Sequence, residues 1–125
     1  MPKVPLVLVG DHPDQTSGLA RILGDLAHHI HRDYADVVDL RTVGWANWAG
    51  LPETGVEQTP SERVPWPSWV FSATQKDWGA STLIHAYRRW FGVTKGIIWT
   101  VWDPGRCLPY INVPLPIETW GYFAI

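Results

Sequence analysis

The segment that follows the first apolar run, 6–9, contains residues whose types suit catalysis or anion binding. His12 stands in this segment, where an imidazole that titrates near neutral pH could act as a general base or donate to a substrate hydroxyl. Ser17 and Gly18 stand where a helical pattern begins, and the amides and dipole of a helix N-terminus favour a phosphate. The alternatives are a simple turn at His12 and an easy helix start at Gly18.

A second candidate for chemistry follows the apolar run 97–102. Asp103 belongs to a Trp-Asp-Pro-Gly turn, and its carboxylate could act as a base or bind a substrate hydroxyl. The alternative is a structural role as the N-cap of a short helical turn that ends near Tyr110. His12 and Asp103 are therefore the two candidate catalytic residues.

Familiar phosphate and metal motifs are absent from the sequence. Neither G-x-x-x-x-G-K-[ST] nor G-x-G-x-x-G follows the first apolar run, which excludes a P-loop NTPase and an ordinary dinucleotide-binding protein. His28, His29 and His31 lie close together in the sequence, but no second group of His, Cys or carboxylate accompanies them. The sequence therefore predicts no metal site and no bound cofactor.

Tryptophan is unusually frequent, with nine residues in the chain. Trp45, Trp48 and Trp66 fall in a stretch rich in Gly and Pro, 44–67, which the sequence predicts to be a long loop. Three indole rings in such a loop could form a platform for the apolar face of a sugar or another flat acceptor. The alternative is packing in the core or in a protein interface.

The pattern of apolar residues predicts one α/β domain that spans residues 1–125. The predicted order is β-α-β-loop-β-α-β-turn-β, with a mostly parallel sheet of about five strands in the order 3-2-1-4-5. Thr16 or Ser17 is expected to cap the first helix. The strands are predicted at 6–9, 36–40, 69–72, 97–102 and 119–125, and the helices at 19–30 and 80–91.

The charge balance limits the classes of partner. The chain has 10 Lys and Arg against 12 Asp and Glu, which gives a net charge of −2, so neither nucleic acid nor an anionic membrane surface is an expected partner. No segment of the sequence is apolar enough for a membrane span. Cys107 is the single cysteine, which fits a reducing, cytoplasmic setting.

Four segments, in this order, resemble group 1 glycosyltransferases with the GT-B fold. The first is Val-Gly-Asp-His-Pro-Asp-Gln-Thr-Ser-Gly-Leu-Ala-Arg-Ile with a following Asp-Leu-Ala, and the others are Gln-Lys-Asp-Trp-Gly-Ala, Trp-Thr-Val-Trp-Asp-Pro-Gly-Arg and Trp-Gly-Tyr-Phe-Ala-Ile. The resemblance extends over nearly all 125 residues. It implies a Rossmann-like, three-layer fold that corresponds to the N-terminal, acceptor-side half of such an enzyme.

The resemblance also implies an activity, the transfer of a sugar from a nucleotide-sugar donor to an acceptor hydroxyl without a bound metal. In these enzymes the cleft lies between two Rossmann-like domains, and the loop that matches Ser17 and Gly18 faces the donor phosphates. Ala20 departs from the pattern, which has a second glycine there.

Because 125 residues leave no room for the second domain, a truncated half is expected that is inactive alone or is completed by another chain. The sugar, the nucleotide, the acceptor and the stereochemical outcome stay open. The alternative hypothesis is a non-catalytic Rossmann-like module that binds a protein or glycan through its tryptophans.

Overall fold

The computed structural model describes residues 2–72, 77–102, 106, 108–110 and 113–122. Within these residues the chain forms two helices, six strands and one 3-10 turn. Their bounds are β1 (Val4–Asp11), α1 (Gly18–Tyr34), β2 (Val38–Ala46), β3 (Val56–Gln58), β4 (Ser68–Ser72), α2 (Ala80–Phe91), β5 (Gly96–Val101), the 3-10 turn (Leu108–Tyr110) and β6 (Ile117–Tyr122).

The strands form one mixed sheet in the order β3-β4-β2-β1-β5-β6. β3 is antiparallel to β4, and all other neighbours are parallel. The Rossmann-like α/β fold is therefore confirmed, and the predicted strands have the predicted order 3-2-1-4-5. The predicted number of about five strands is wrong, because β3 adds a sixth strand at one edge.

The sheet is covered on both faces, which explains the continuous apolar run in β1. Successive side chains of a strand point to opposite faces, so Val7 and Val9 join a core cluster on the α2 side, while Leu6 and Leu8 join a cluster on the α1 side. A strand that is buried on both faces has no polar alternation. The result is a three-layer domain with one helix on each side.

The predicted loop 44–67 is partly wrong. Residues 44–46 continue β2, where Gly44 pairs with Gly10 of β1 on one side and Val70 of β4 on the other. β3 then pairs in antiparallel register with β4. Hydrophobic periodicity does not predict these strands, because glycine has no hydrophobic side chain and β3 has only 3 residues.

The helix ends follow their capping residues. Ser17 is the N-cap of α1, and its Oγ accepts the Ala20 N–H at 3.1 Å, which settles the predicted choice between Thr16 and Ser17. Gly92 ends α2 with a φ of 60°, in the left-handed region, where glycine has no Cβ penalty. The start of α1 is therefore fixed by Ser17.

Candidate functional site

The carboxyl ends of β1 and β5 form the topological switch point of the sheet. From β1 the chain crosses to β2 on one side, and it later returns to β5 on the other side of β1. In open α/β sheets, ligands bind in the crevice outside the strand ends at such a point. Asp11 ends β1 there, and Trp102 directly follows β5. We call this place the switch-point crevice; Asp11, Ser17, Trp102 and Arg106 surround it.

Asp11 connects the elements that meet at the crevice. Its side chain is 5% exposed, and its Oδ2 accepts the Ser17 hydroxyl at 2.6 Å. The other oxygen, Oδ1, accepts the indole N–H of Trp102 at 2.8 Å and lies 3.7 Å from Nη1 of Arg106. Two hydrogen-bond donors and a cation therefore compensate the burial of this carboxylate.

Arg106 lies on an aromatic support at the rim of the crevice. Its guanidinium carbon is 4.5 Å from the centre of the Trp78 ring and 5.9 Å from that of Trp102, within the range of cation–π attraction. Trp78 has a φ of 52°, a left-handed conformation that is rare for a bulky residue. Its carbonyl accepts the Tyr110 hydroxyl. The guanidinium is thus held in place while its side chain stays 32% exposed.

The N-terminus of α1 opens beside the same carboxylate. Ser17 uses its hydroxyl twice, as a donor to Asp11 and as an acceptor for Ala20. A Cβ built on Gly18 would meet no atom within 4 Å. In the described part of the chain, no acceptor is found for the Gly18 N–H. The two residues predicted to hold a phosphate therefore lie together, with a backbone donor available.

A groove of about 630 Å³ runs from this helix start along α1. Its charged groups are mixed in sign, because Arg63 contacts Asp14 with Nε 3.5 Å from Oδ1. The groove is therefore polar without being a strongly basic channel. Among its lining residues are Asp14, Ser17, Gly18, Arg21, His28 and Arg63.

His12 is completely buried and has both ring nitrogens engaged. Its Nδ1 accepts the backbone N–H of Asp14 at 3.1 Å, and its Nε2 lies 3.1 Å from Oε1 of Gln58. Burial lowers the pKa of His12, against the opposing effects of the Asp14 carboxylate and the Gln58 bond. A role as general base would require one of these bonds to open, so that role stays a prediction.

The predicted platform of three tryptophans is wrong. Trp66 is 1% exposed on the α1 side of the sheet, where its indole N–H donates to Thr42 Oγ1 at 2.9 Å. Trp45 lies in β2 and packs against the cluster on the α2 side. Trp48 lies elsewhere, with its ring 5.3 Å from that of His12. The rings separate because they lie on different elements and on opposite faces.

Asp103 lies outside the described residues, so its predicted role stays a prediction. Asp11, Gln58 and Arg106 are site residues that the sequence reasoning missed. Asp11 had a usable signal, because a carboxylate directly after a buried strand of a parallel sheet lies at the ligand-binding edge. Gln58 had none, since it belongs to a three-residue edge strand.

No group of His, Cys, Asp and Glu in the described ranges could hold a metal ion. The described helices include none that is long and apolar enough to cross a membrane. No protein-family model, curated protein or solved structure matches the chain. The assignment of a function therefore depends on the residues of the switch-point crevice and on the sequence segments quoted above.

Proposed function

We propose that the chain is the acceptor-side, Rossmann-like half of a glycosyltransferase, and that the phosphates of a nucleotide-sugar donor meet the N-terminus of α1. The observation that carries this proposal is the start of α1. There the buried Asp11 holds the capping hydroxyl of Ser17, and Gly18 beside it has an open environment. The four segments that resemble GT-B glycosyltransferases supply the reaction class.

The charges of the crevice suit a diphosphate. The N-terminus of a helix carries about half a positive charge, and the Gly18 amide adds a hydrogen-bond donor without a side chain in the way. Arg106, supported by Trp78, offsets the negative charge of Asp11 at 3.7 Å, and its partly exposed guanidinium adds hydrogen-bond donors. A hydrogen bond to a charged group contributes about 1.5–3 kcal/mol, so each donor would strengthen binding by roughly tenfold or more.

In the proposed reaction, the acceptor hydroxyl forms a bond to the anomeric carbon while the bond to the nucleoside diphosphate breaks. Negative charge develops on the departing phosphate, and donors fixed in advance stabilise it. Gly18 and Arg106 would do so from this half of the enzyme. Asp103, or His12 after its hydrogen bonds open, is the candidate acceptor for the hydroxyl proton.

The alternative of a non-catalytic module that binds protein or glycan through its tryptophans has less support. Trp66 is buried and Trp45 packs against the core, so a shared indole surface is missing. Of these three tryptophans, Trp48 is the one whose ring packs on His12, and it is half-buried. One ring gives less support for a glycan platform than the helix start gives for a phosphate site.

Two substitutions at one position test the proposal. Gly18→Pro removes the amide donor, and the local backbone accepts it, since proline suits the first position of a helix and Ser17 is already extended with φ −70° and ψ 159°. Gly18→Ala keeps the N–H and is the matched control. Binding of UDP-glucose, GDP-mannose and pyrophosphate is measured by titration of the amide NMR spectrum.

We expect wild type and Gly18→Ala to show saturable shifts at Ser17, Gly18 and the Arg106 side chain, and Gly18→Pro to bind about tenfold more weakly. Binding rather than turnover is measured because the proposed enzyme also needs a second domain. If no nucleotide sugar shifts these signals, or if Gly18→Pro binds as well as Gly18→Ala, the phosphate site at α1 is refuted.

A further inference from the structure

We infer that two copies of this chain associate through the outer edge of β6, so that their sheets join across a twofold axis at Thr119. The partner that this edge fits is therefore a second copy of the same chain. The inference uses no residue of the switch-point crevice, so it does not depend on the proposed glycosyltransferase activity.

The two edges of the sheet differ in their capacity to pair with another strand. At one edge, β3 has 3 residues, and its exposed Glu57 accepts the indole N–H of Trp90. At the other edge, β6 has 6 residues, and Glu118 is its one charged side chain. Short or charged edge strands resist association, whereas a longer apolar edge promotes it. The β6 edge is therefore the one suited to a further strand.

The backbone of β6 presents hydrogen-bonding groups at this edge. The Gly96 N–H donates to the Pro116 carbonyl at 3.3 Å, which fixes how the parallel ladder between β5 and β6 is oriented. Alternate residues then face β5, so 117, 119 and 121 turn their backbone groups outward. In the described part of the chain, the outward N–H groups of Thr119 and Gly121 have no acceptor.

The sequence of β6 is self-complementary when a second copy runs antiparallel with Thr119 opposite Thr119. Ile117 then lies opposite Gly121, and Glu118 lies opposite Trp120. Cross-strand threonine pairs are favourable, whereas like charges directly opposite each other are destabilising. An axis at Glu118 would oppose two carboxylates. An axis at Trp120 would oppose two indoles and leave Glu118 without an indole donor.

This register forms four backbone hydrogen bonds between the two copies. Each Thr119 N–H donates to the Thr119 carbonyl of the other copy, and each Gly121 N–H donates to the Ile117 carbonyl of the other copy. The Ile117 N–H stays with the Leu115 carbonyl, which it contacts at 2.9 Å within the chain. The association therefore breaks none of the hydrogen bonds described for β6.

An apolar groove beside β6 fits the exposed indole of the second copy. Trp120 is 44% exposed, because α1 packs mainly on β1 and β2 and the described helices leave this side of β6 uncovered. Glu118 pairs in register with Ile97, and both line a groove of about 680 Å³ together with Val4 and Leu115. Since Trp120 of the second copy lies opposite Glu118, its ring reaches the mouth of this groove.

The same register completes the contacts of the Trp120 indole. Its ring already packs on Trp99, with 5.6 Å between ring centres. In the dimer its N–H can donate to the Glu118 carboxylate of the second copy, because a carboxylate accepts hydrogen bonds only. The Trp99 and Trp120 rings of both copies then share one face of the joined sheet.

Analytical ultracentrifugation from about 1 μM to about 1 mM tests the association. We expect a reversible monomer–dimer equilibrium, with slower hydrogen exchange of the Thr119 and Gly121 amides in the dimer. In a mixture of isotope-labelled and unlabelled chains, an NOE should join Hα of Glu118 to Hα of Trp120 in the other copy, since antiparallel strands approach most closely at such pairs.

Three results would overturn the inference. A monomer at every concentration would assign the edge to a different partner. Thr119 and Gly121 amides that are already protected in the monomer would show that the chain itself covers the edge. A dimer without the NOE between Glu118 and Trp120 would associate through another surface or in another register.

Two substitutions at Thr119 test the backbone pairing. Thr119→Pro removes the central N–H donors, and an edge strand tolerates proline where the N–H faces solvent. Thr119→Val is the matched control, because it loses the same hydroxyl but keeps the N–H. We expect the dimer of Thr119→Pro to dissociate at least about tenfold more readily than that of Thr119→Val. Equal dissociation constants would contradict the pairing at Thr119.

Two substitutions at Trp120 test the register by charge and decide the inference even if Thr119→Pro does not fold. Trp120→Glu places a carboxylate opposite Glu118 of the second copy, whereas Trp120→Lys places an ammonium there. Both variants lose the contact with Trp99. We expect Trp120→Glu to be monomeric and Trp120→Lys to dimerise, and Glu118→Lys to restore the dimer of Trp120→Glu. Equal association of the two Trp120 variants would refute the register.

Discussion

The contact between Ser17 and Asp11 should make this helix N-cap respond unusually to substitution by aspartate. Aspartate caps helices as well as serine does, so Ser17→Asp should be harmless at an ordinary N-cap. Here Ser17 Oγ lies 2.6 Å from Oδ2 of Asp11, and a carboxylate at position 17 would face a second, buried carboxylate. We expect Ser17→Asp to destabilise the protein strongly, and Asp11→Asn to rescue it.

The magnitude follows from the geometry. Two unit charges at ~4 Å and an effective dielectric constant of ~20 repel each other by about 4 kcal/mol, and this is an upper bound because protonation of one carboxyl limits the cost. Ser17→Ala provides the reference, since it loses a cap of about 1 kcal/mol and a hydrogen bond to a charged group of about 1.5 kcal/mol or more. Ser17→Asp should lower the free energy of unfolding at least as much as Ser17→Ala does.

The assay is urea-induced unfolding at neutral pH, followed by tryptophan fluorescence, for the four members of the cycle between Asp11→Asn and Ser17→Asp. In the double variant the Asn amide can donate to the new carboxylate, so a coupling free energy of about 1.5–3 kcal/mol is expected. Thr16→Asp is the control for added charge and should change the free energy of unfolding by less than about 0.5 kcal/mol. A coupling below about 0.5 kcal/mol, or a Ser17→Asp variant as stable as wild type, would refute the proposed carboxylate contact.

Three further predictions concern the packing around the site. Thr42→Val should lower the free energy of unfolding by about 1–3 kcal/mol in urea unfolding, because it leaves the buried indole N–H of Trp66 without its acceptor. The control Thr42→Ser keeps the hydroxyl. An equal loss of free energy in both variants would contradict the hydrogen bond. Gly44→Ala should lower the free energy of unfolding by about 1–3 kcal/mol, since its Cβ would lie 2.6 Å from the His12 backbone. Gly18→Ala should leave the free energy of unfolding nearly unchanged. The free energy of unfolding should fall as the pH drops below 6.5, because the lowered pKa of His12 lets the unfolded chain bind the proton first. His12→Asn should flatten this part of the curve, and a wild-type curve without such a slope would contradict the burial of His12.

The parts of the fold that the sequence predicts well are those with a strong local signal. α1 and α2 show one apolar face, and β1 and β5 are apolar runs that end at turn residues, so all four appear near their predicted positions. The strand order then follows from the preference for short right-handed crossovers. The cap at Ser17 is also local, because its acceptor role involves Ala20, three residues away.

The missed strands have no such local signal. The second half of β2 contains Gly44, and β3 has 3 residues and lies at the edge. Both are fixed by their partners, since β2 pairs on both sides and β3 pairs with β4. Trp66 illustrates the same limit: its hydrogen bond to Thr42 places it in the core, although its neighbours in sequence are prolines.

The site is predictable to the level of strand ends and no further. An order of 3-2-1-4-5 already places the carboxyl end of β1 beside that of β5, so Asp11 must approach the residues that follow β5. The side chain that Asp11 meets, the Trp102 indole, lies 91 positions away in the sequence. The hydrogen bond between His12 and Gln58 joins residues 46 positions apart. A strand turns its side chains to alternate faces, and one residue more or less in β5 would turn Trp102 away. The sequence motif around Ser17 and Gly18 therefore predicts the place of the candidate site, and the contact of Ser17 with the buried Asp11 carboxylate is what the sequence does not predict.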